Sequence, residues 1–321
     1  DYIVSVISTD VQFSPGEILL NVGESTNRIL NFSSGITARN RLYISDNDAR
    51  LKSIITTYDG GMIAVGFKTF KDTFKDAYVS KLNSEGDIVW EYLVSGSYSD
   101  VFTKVIELSD NSFICIGESI SSGTGADIII YKFSPNGSLL WNKKLSSIGD
   151  EGIVRAIQTS DGSFVLAGYM YQDYATTSDV LVVKLDSNGN LLWKKTFDGD
   201  NKEDKANDVV QVSNGDLIVV GFTDYYVSNK LDGWILSLDE NTGESNWHTL
   251  VGDYNNEMLY SVKETSTGVT VIGYTESNSS GYADILLMNI SLTGEVNWQK
   301  IYGTSFDEKV HALAIDIDGS L

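Results

Sequence analysis

Cysteine is almost absent: Cys115 is the only one in 321 residues, which excludes an intrachain disulfide and any cysteine-based metal cluster. Set between Ile114 and Ile116, its thiol reads as a small core residue and not as a nucleophile. Histidine is nearly as scarce. His248 and His311 are the only two, so a His-dependent triad or a two-histidine metal site has to use one or both. Positive charge is short as well, with 23 Lys and Arg against 44 Asp and Glu for a net charge of −21. Such a chain repels a phosphate backbone and an anionic membrane surface, which leaves cations, basic peptides, other proteins and neutral glycans as partners. No run reaches the roughly 18–20 apolar residues of a spanning helix, and no stretch of useful length has helical periodicity. A Gly-x-Ser-x-Gly elbow, a phosphate-binding glycine loop and a His-Glu-x-x-His motif are all missing. The chain opens at Asp1 without an export leader, so any such signal is expected to have been removed or to lie outside it.

What the sequence does contain is a repeat. Asp76 leads to Gly86 and Trp90, Asp127 to Gly137 and Trp141, Asp179 to Gly189 and Trp193, Asp232 to Gly243 and Trp247, and Asp284 to Gly294 and Trp298. Glycine precedes tryptophan by four residues each time, and successive tryptophans are 51, 52, 54 and 51 residues apart. A fixed period of that size signals a repeat architecture.

Each copy offers four strand candidates. A first strand, as at 51–57 or 154–159, runs into an Asp/Gly turn such as Asp59-Gly60-Gly61 or Asp161-Gly162-Ser163, which is hairpin chemistry. A second strand, apolar on both faces, ends on Gly66, Gly117, Gly168, Gly221 or Gly273 and is expected in mid-sheet, buried between layers. After a variable polar loop comes a third strand opening at the repeated aspartate, then a Ser/Asn/Gly turn and a fourth strand carrying the tryptophan. Four short antiparallel strands per unit of about 50 residues is the pattern of β-propeller blades, so the fold class is all-β. Complete blades are expected over approximately 47–100, 101–150, 151–205, 206–256 and 257–305. Residues 1–46 match poorly, with Gly35 and Arg39 keeping the four-residue offset as a worn copy. We expect a single domain over 1–321 with six blades. The sixth combines 1–46 with 306–321, and Tyr2–Ile7 pairs beside Val310–Ile315. The alternative is seven or eight blades with the remainder outside this chain.

The Gly-x-x-x-Trp at each third-to-fourth-strand turn resembles the docking motif of the pyrroloquinoline-quinone-type propellers, which implies a tryptophan laid across the neighbouring blade over a glycine. Runs such as Ser160-Asp-Gly-Ser-Phe-Val-Leu-Ala-Gly168 and Val183-Lys-Leu-Asp-Ser-Asn-Gly-Asn-Leu-Leu-Trp193 are similar to propeller repeats of bacterial and archaeal secreted or surface proteins. This resemblance covers about 47–321 and implies fold more than activity. It carries no quinone, because the adjacent-cysteine pair common in the alcohol dehydrogenases of that group cannot exist here. The segment Gly16–Ser25 also resembles the opening of a bacterial immunoglobulin-like domain, but too few residues follow to complete one.

Candidate functional residues fall in three groups. The repeated Asp76, Asp127, Asp179, Asp232 and Asp284 recur in every blade, so they read as architecture, accepting backbone N–H bonds at the turn before the third strand. A second acidic set stands just before each first strand: Asp48, Asp100, Glu151, Asp204, Asn256 and Asp307. At one face of a propeller these could ring the channel mouth as a funnel for a cation or basic group, or simply cap turns. The loops between second and third strands hold Phe70 and Phe74; Tyr169, Tyr171 and Tyr174; Tyr225 and Tyr226; and Tyr282. Tyrosines on variable loops suit sugars or protein partners. His311, on a channel-side strand, is the better placed histidine.

No catalytic or metal-ligating set is assigned and no cofactor is expected. Calcium would need converging hard oxygens, densest at Asp198, Asp200, Glu203 and Asp204, and at Asp46 with Asp48. The expected function is a non-enzymatic, extracellular or cell-envelope binding or scaffold module for a protein or glycan, as a monomer or part of a larger protein. The alternatives are a polysaccharide-active enzyme with a carboxylate pair at the channel mouth and a structural spacer.

Overall fold

The computed structural model describes residues 2–3, 19–20, 48–69, 74–94, 99–121, 125–146, 149–172, 176–199, 202–224, 230–252, 254–277, 282–308, 310 and 312–313. Near the start, β1 (Tyr2–Ile3) pairs antiparallel with β2 (Leu19–Leu20). Five four-stranded antiparallel sheets follow. The first is β3 (Asp48–Thr56), β4 (Met62–Thr69), β5 (Lys75–Leu82) and β6 (Ile88–Val94); the second is β7 (Ser99–Glu107), β8 (Phe113–Ser121), β9 (Gly125–Phe133) and β10 (Leu139–Leu145). The third is β11 (Gly149–Gln158), β12 (Phe164–Gln172), β13 (Ser178–Leu185) and β14 (Leu191–Phe197). The fourth is β15 (Asp204–Gln211), β16 (Leu217–Thr223), β17 (Asp232–Leu238) and β18 (Ser245–Val251), and the fifth is β19 (Glu257–Thr265), β20 (Gly268–Thr275), β21 (Asp284–Ile290) and β22 (Val296–Tyr302). Every sheet is a meander with its strands in chain order. Two compact units result, one of residues 1–123 and 127–145, the other of 124–126 and 146–321.

Local chemistry sets the turns. In the first sheet the Thr57 amide bonds to Gly61 O at 3.0 Å, Gly60 takes φ +79°, and Asp59 Oδ1 accepts the Gly61 amide at 3.0 Å. The buried Lys81 ammonium of β5 lies 2.8 Å from Asp59, and that hydrogen bond, with help from Thr57, holds the Asp59 carboxyl down at about 2. The third sheet repeats the device with Asp161, Gly162 and Lys184.

The glycine ending each expected second strand does not end it. β4, β8 and β12 run three or four residues farther, because a bulge in the facing first strand, at Leu51/Ser53, Phe102/Lys104 and Ile153/Arg155, takes up the extra residue. A Cβ on Gly66, Gly117, Gly168, Gly221 or Gly273 would run into that bulged backbone, so the position admits no side chain.

The core lies between sheets. In the first unit Val65, Val79, Phe102, Phe113, Cys115 and Phe133 form one layer between the first and second sheets. In the second unit one layer joins the third and fourth sheets through Val182, Trp193, Val209 and Val219, and another joins the fourth and fifth through Val220, Leu259, Val271 and Met288. As expected, the second strands are buried, and the third strands are too, with β16 and β17 covered along their whole length.

Tryptophan locks the sheets as the spacing implies. Trp90 donates its indole N–H to Pro135 O at 2.9 Å, Trp193 to Glu240 O at 3.0 Å and Trp247 to Leu292 O at 2.9 Å. Each ring covers a glycine of the next sheet, where a Cβ on Gly137, Gly243 or Gly294 would approach an indole carbon to 2.6, 2.8 or 2.9 Å. Those glycines also sit at φ +85°, +70° and +90°, so the residue is required twice over.

The expected sixth blade fares differently. Tyr2 and Ile3 pair with Leu20 and Leu19, and residues 310, 312 and 313 carry no strand. The rest of 306–321 beyond residue 313, and most of 1–46, lie outside the described residues.

Candidate functional site

Because strands alternate in direction, the loop between second and third strands and the connection to the next sheet lie at the same end of a sheet. A recurring latch ties them. The amide just ahead of each repeated aspartate is received by a side chain 24 or 25 residues farther on, at or beside the end of the connection that leaves the sheet: Lys75 by Ser99 Oγ at 3.4 Å, Ala126 by Asp150 Oδ1 at 2.7 Å, Ser178 by Glu203 Oε2 at 3.1 Å, Leu231 by Asn256 Oδ1 at 3.0 Å and Ala283 by Asp307 Oδ1 at 3.2 Å. Asn256 and Asp307 thus each accept a backbone N–H from the loop ahead of the third strand.

Asp100, Glu151 and Asp204 stand one residue later in the repeat and turn inward; all three are buried. Of the latch residues beside them, Asp150 is exposed and Ser99 and Glu203 are half-buried. Burial raises the pKa of Asp100, with the nearby Asp76 adding to it and Ser119 and Lys144 opposing. Glu151 is paired with Lys194 at 3.0 Å. Asp204 has its pKa pushed up to about 6 by burial, against the Thr223 hydroxyl and the Gly199 amide, with Asp198 and Asp179 adding repulsion. Asp179, Asp198 and Asp204 each offer a carboxylate oxygen, all within 4.8 Å of one another. In the fourth sheet Asp232 is likewise raised to about 6, by burial first and then by the charges of Glu257 and Asp224.

The aromatic residues divide. Tyr169 and Tyr171 are not on a loop, since β12 continues through them to Gln172. They lie edge to face with centroids 5.8 Å apart, and the Lys205 ammonium sits 4.6 Å from the Tyr169 centroid and 3.3 Å from the Tyr171 hydroxyl. Residues two apart on a strand share a face, so their half-buried packing follows from strand extension. Tyr282 is on a loop and 79% exposed, and Phe74 is exposed too. Phe70, Tyr174, Tyr225, Tyr226, Asp200 and His311 lie outside the described residues, as does the side chain of Asp48.

Two exposed aromatics were not anticipated. Tyr254 (79%) and Phe306 (75%) stand on the connections that follow the fourth and fifth sheets. The latch places Tyr282 and Phe306 side by side in sequence with paired residues, since Ala283 bonds Asp307 and the Glu308 amide bonds Ala283 O at 2.7 Å. Both tyrosine and phenylalanine adjoin latch residues, a signal readable only once the latch is known. Also unforeseen is a network on the first strands of the second unit, where Asp208 receives Arg155 Nε at 3.0 Å, Ser261 Oγ at 2.9 Å and the Val262 amide at 3.1 Å.

Residues 125–308 match the family model described as outer membrane protein assembly factor BamB. No curated protein sequence matches the chain. Among solved structures, Sqt1 from Chaetomium thermophilum is similar at 14% identity and TM-score 0.51, over 84% of this chain and 64% of that one. A Hadza microbial sialidase is similar at 10% identity and TM-score 0.46, over 80% and 59%. The chain thus spans about three fifths of the length of these two, and the first likeness speaks for fold alone.

Proposed function

The chain belongs to the β-propeller repeat family described as outer membrane protein assembly factor BamB, and from that premise we propose that it is a non-enzymatic module that recognises a protein partner, or secondarily a glycan, through the loop end of its blades. The observation that carries this reading is the trio Tyr254, Tyr282 and Phe306, each about three-quarters exposed or more on one end of the fourth and fifth sheets. Large rings held in water at such a cost favour a surface meant to be covered. The acidic balance of the chain favours a partner with a basic face. An extracellular or cell-envelope location accords with that composition and with the family description.

The blade number belongs to the same proposal. Along β22 every residue is exposed, and Trp298 is 36% exposed whereas Trp193 is buried. An apolar outer strand of that kind calls for a further sheet, for which residues 1–46 and 306–321 are the candidates, giving six blades.

Interaction profiling of wild-type protein against the variant Tyr254→Ala/Tyr282→Ala/Phe306→Ala, on purified envelope proteins and on a glycan array, tests the reading. A partner lost only from the variant, while Tyr58→Ala at the opposite sheet end keeps it, supports the proposal. Equal binding by all three proteins sinks it. Release of reducing sugar from a bound glycan would favour a polysaccharide-active enzyme.

A further inference from the structure

One joint differs from its equivalents. Five residues after the docking tryptophan the repeats carry Ser95, Ser146, Asp198, Gly252 and Gly303. In the fourth and fifth sheets this position lies against the repeated aspartate, since a Cβ on Gly252 or Gly303 would run into the carboxylate of Asp232 or Asp284. The third sheet puts a carboxylate there instead. Asp198 thereby meets Asp179, the opening of β13, and Asp204, the opening of β15. Repeated acids serve architecture; an acid found in one copy only, aimed at two others, breaks the symmetry that architecture would keep.

A second observation points to a ligand. Asp204 is fully buried; its Oδ2 receives the Gly199 amide at 2.6 Å, but Oδ1 meets no hydrogen-bond donor among the described residues. The hydroxyl of Thr223, fully buried as well, lies beside the same glycine, where a Cβ would contact both it and Asp204 Oδ1, and it too lacks hydrogen-bond geometry with any partner. Leaving a buried carboxylate oxygen without a donor is destabilising, and three carboxylates gathered together repel one another. A hard cation relieves both. Carboxylates and a hydroxyl are oxygen donors suited to calcium, whose ligands stand at about 2.3–2.6 Å, so two oxygens on one ion are up to roughly 5 Å apart. The observed spacing, within 4.8 Å, fits that limit.

We propose that Asp179, Asp198 and Asp204 bind one calcium ion, with the Thr223 hydroxyl beside it, clamping the third sheet to the fourth. The ion ties the end of β14 to the openings of β13 and β15.

Isothermal titration of CaCl2 into chelator-stripped protein at neutral pH tests this, with thermal unfolding followed in parallel. One saturable site is expected, with a midpoint rise of roughly 2–6 °C at calcium well above its dissociation constant. Asp198→Gly introduces the residue that the fourth and fifth sheets use and should fold; it is expected to weaken binding tenfold or more and to abolish the midpoint rise. Asp204→Asn, nearly isosteric, is expected to do the same, while Asp216→Asn on the opposite sheet end leaves both readouts unchanged. Absence of a saturable heat in the wild type overturns the proposal. So does calcium binding that survives both Asp198→Gly and Asp204→Asn, which would mark ordinary counter-ion attraction to an acidic surface.

Discussion

Trp193 lies over Gly243, its indole N–H bonded to Glu240 O and its ring carbons 2.8 Å from where a glycine Cβ would stand. Gly162 offers the contrast, with the same left-handed backbone at φ +82° but nothing within 4 Å. Gly162→Ala should therefore cost about 1 kcal/mol from backbone strain alone, and Gly243→Ala about 2–4 kcal/mol, because overpacking adds to that strain. Urea denaturation of both variants checks the difference. Equal losses would mean that the ring yields to the methyl group.

The exposed outer strand makes the blade number measurable. If a further sheet covers β22, Trp298→Ala should destabilise the protein by about 2–4 kcal/mol, comparable with Trp193→Ala. With nothing covering it, the change should stay within about 0.5 kcal/mol. Equilibrium unfolding of the two variants side by side separates six blades from five.

Asp232 gives a pH dependence of defined sign. Its carboxyl is raised to about 6 in the folded protein, chiefly by burial, whereas the unfolded chain releases that proton near its ordinary value of about 4. Between those values the folded state binds more protons, so stability falls as pH rises from about 4 to about 6 and stays lower above. Asp232→Asn removes the charge and keeps an acceptor; it should stabilise by about 1–2 kcal/mol at pH near 7.5 and by far less near pH 4. Thermal midpoints at the two pH values check this, and a gain independent of pH would contradict it.

Cys115 is fully buried in the layer between the first and second sheets, and burial pushes its thiol pKa far up. The native protein should leave a thiol-disulfide reagent unreacted on the timescale of minutes, with one equivalent taken up on denaturation. Colour development during a urea titration follows this directly. Rapid reaction without denaturant would show that the layer opens.

Much of the fold was legible because its determinants are local. Asp59, Asp161 and Gly162 announce their turns through side-chain bonds and backbone preference over a few residues, and Gly-x-x-x-Trp implies a sheet contact through its resemblance to the docking motif of the pyrroloquinoline-quinone-type propellers. Strand limits were read less well. Tyr169 and Tyr171 follow a glycine that looks like a terminator, and only the bulge in the facing strand shows why the strand continues. Asp307 and Asn256 stand out in the repeat, but the amides they receive belong to loops 24 and 25 residues earlier.

The sequence by itself determined that the chain is all-β and that sheets of four strands recur about every 50 residues, since period, turn chemistry and alternation are written in short stretches; that tryptophan packs on glycine between sheets came from the motif's resemblance. Only the tertiary structure decided which acids meet. Asp198 and Asp204 already stand close in sequence, but no spacing rule adds Asp179 from the opening of β13. Their convergence follows from strand register and from the docking of one sheet on the next, and both depend on the summed packing of many distant residues.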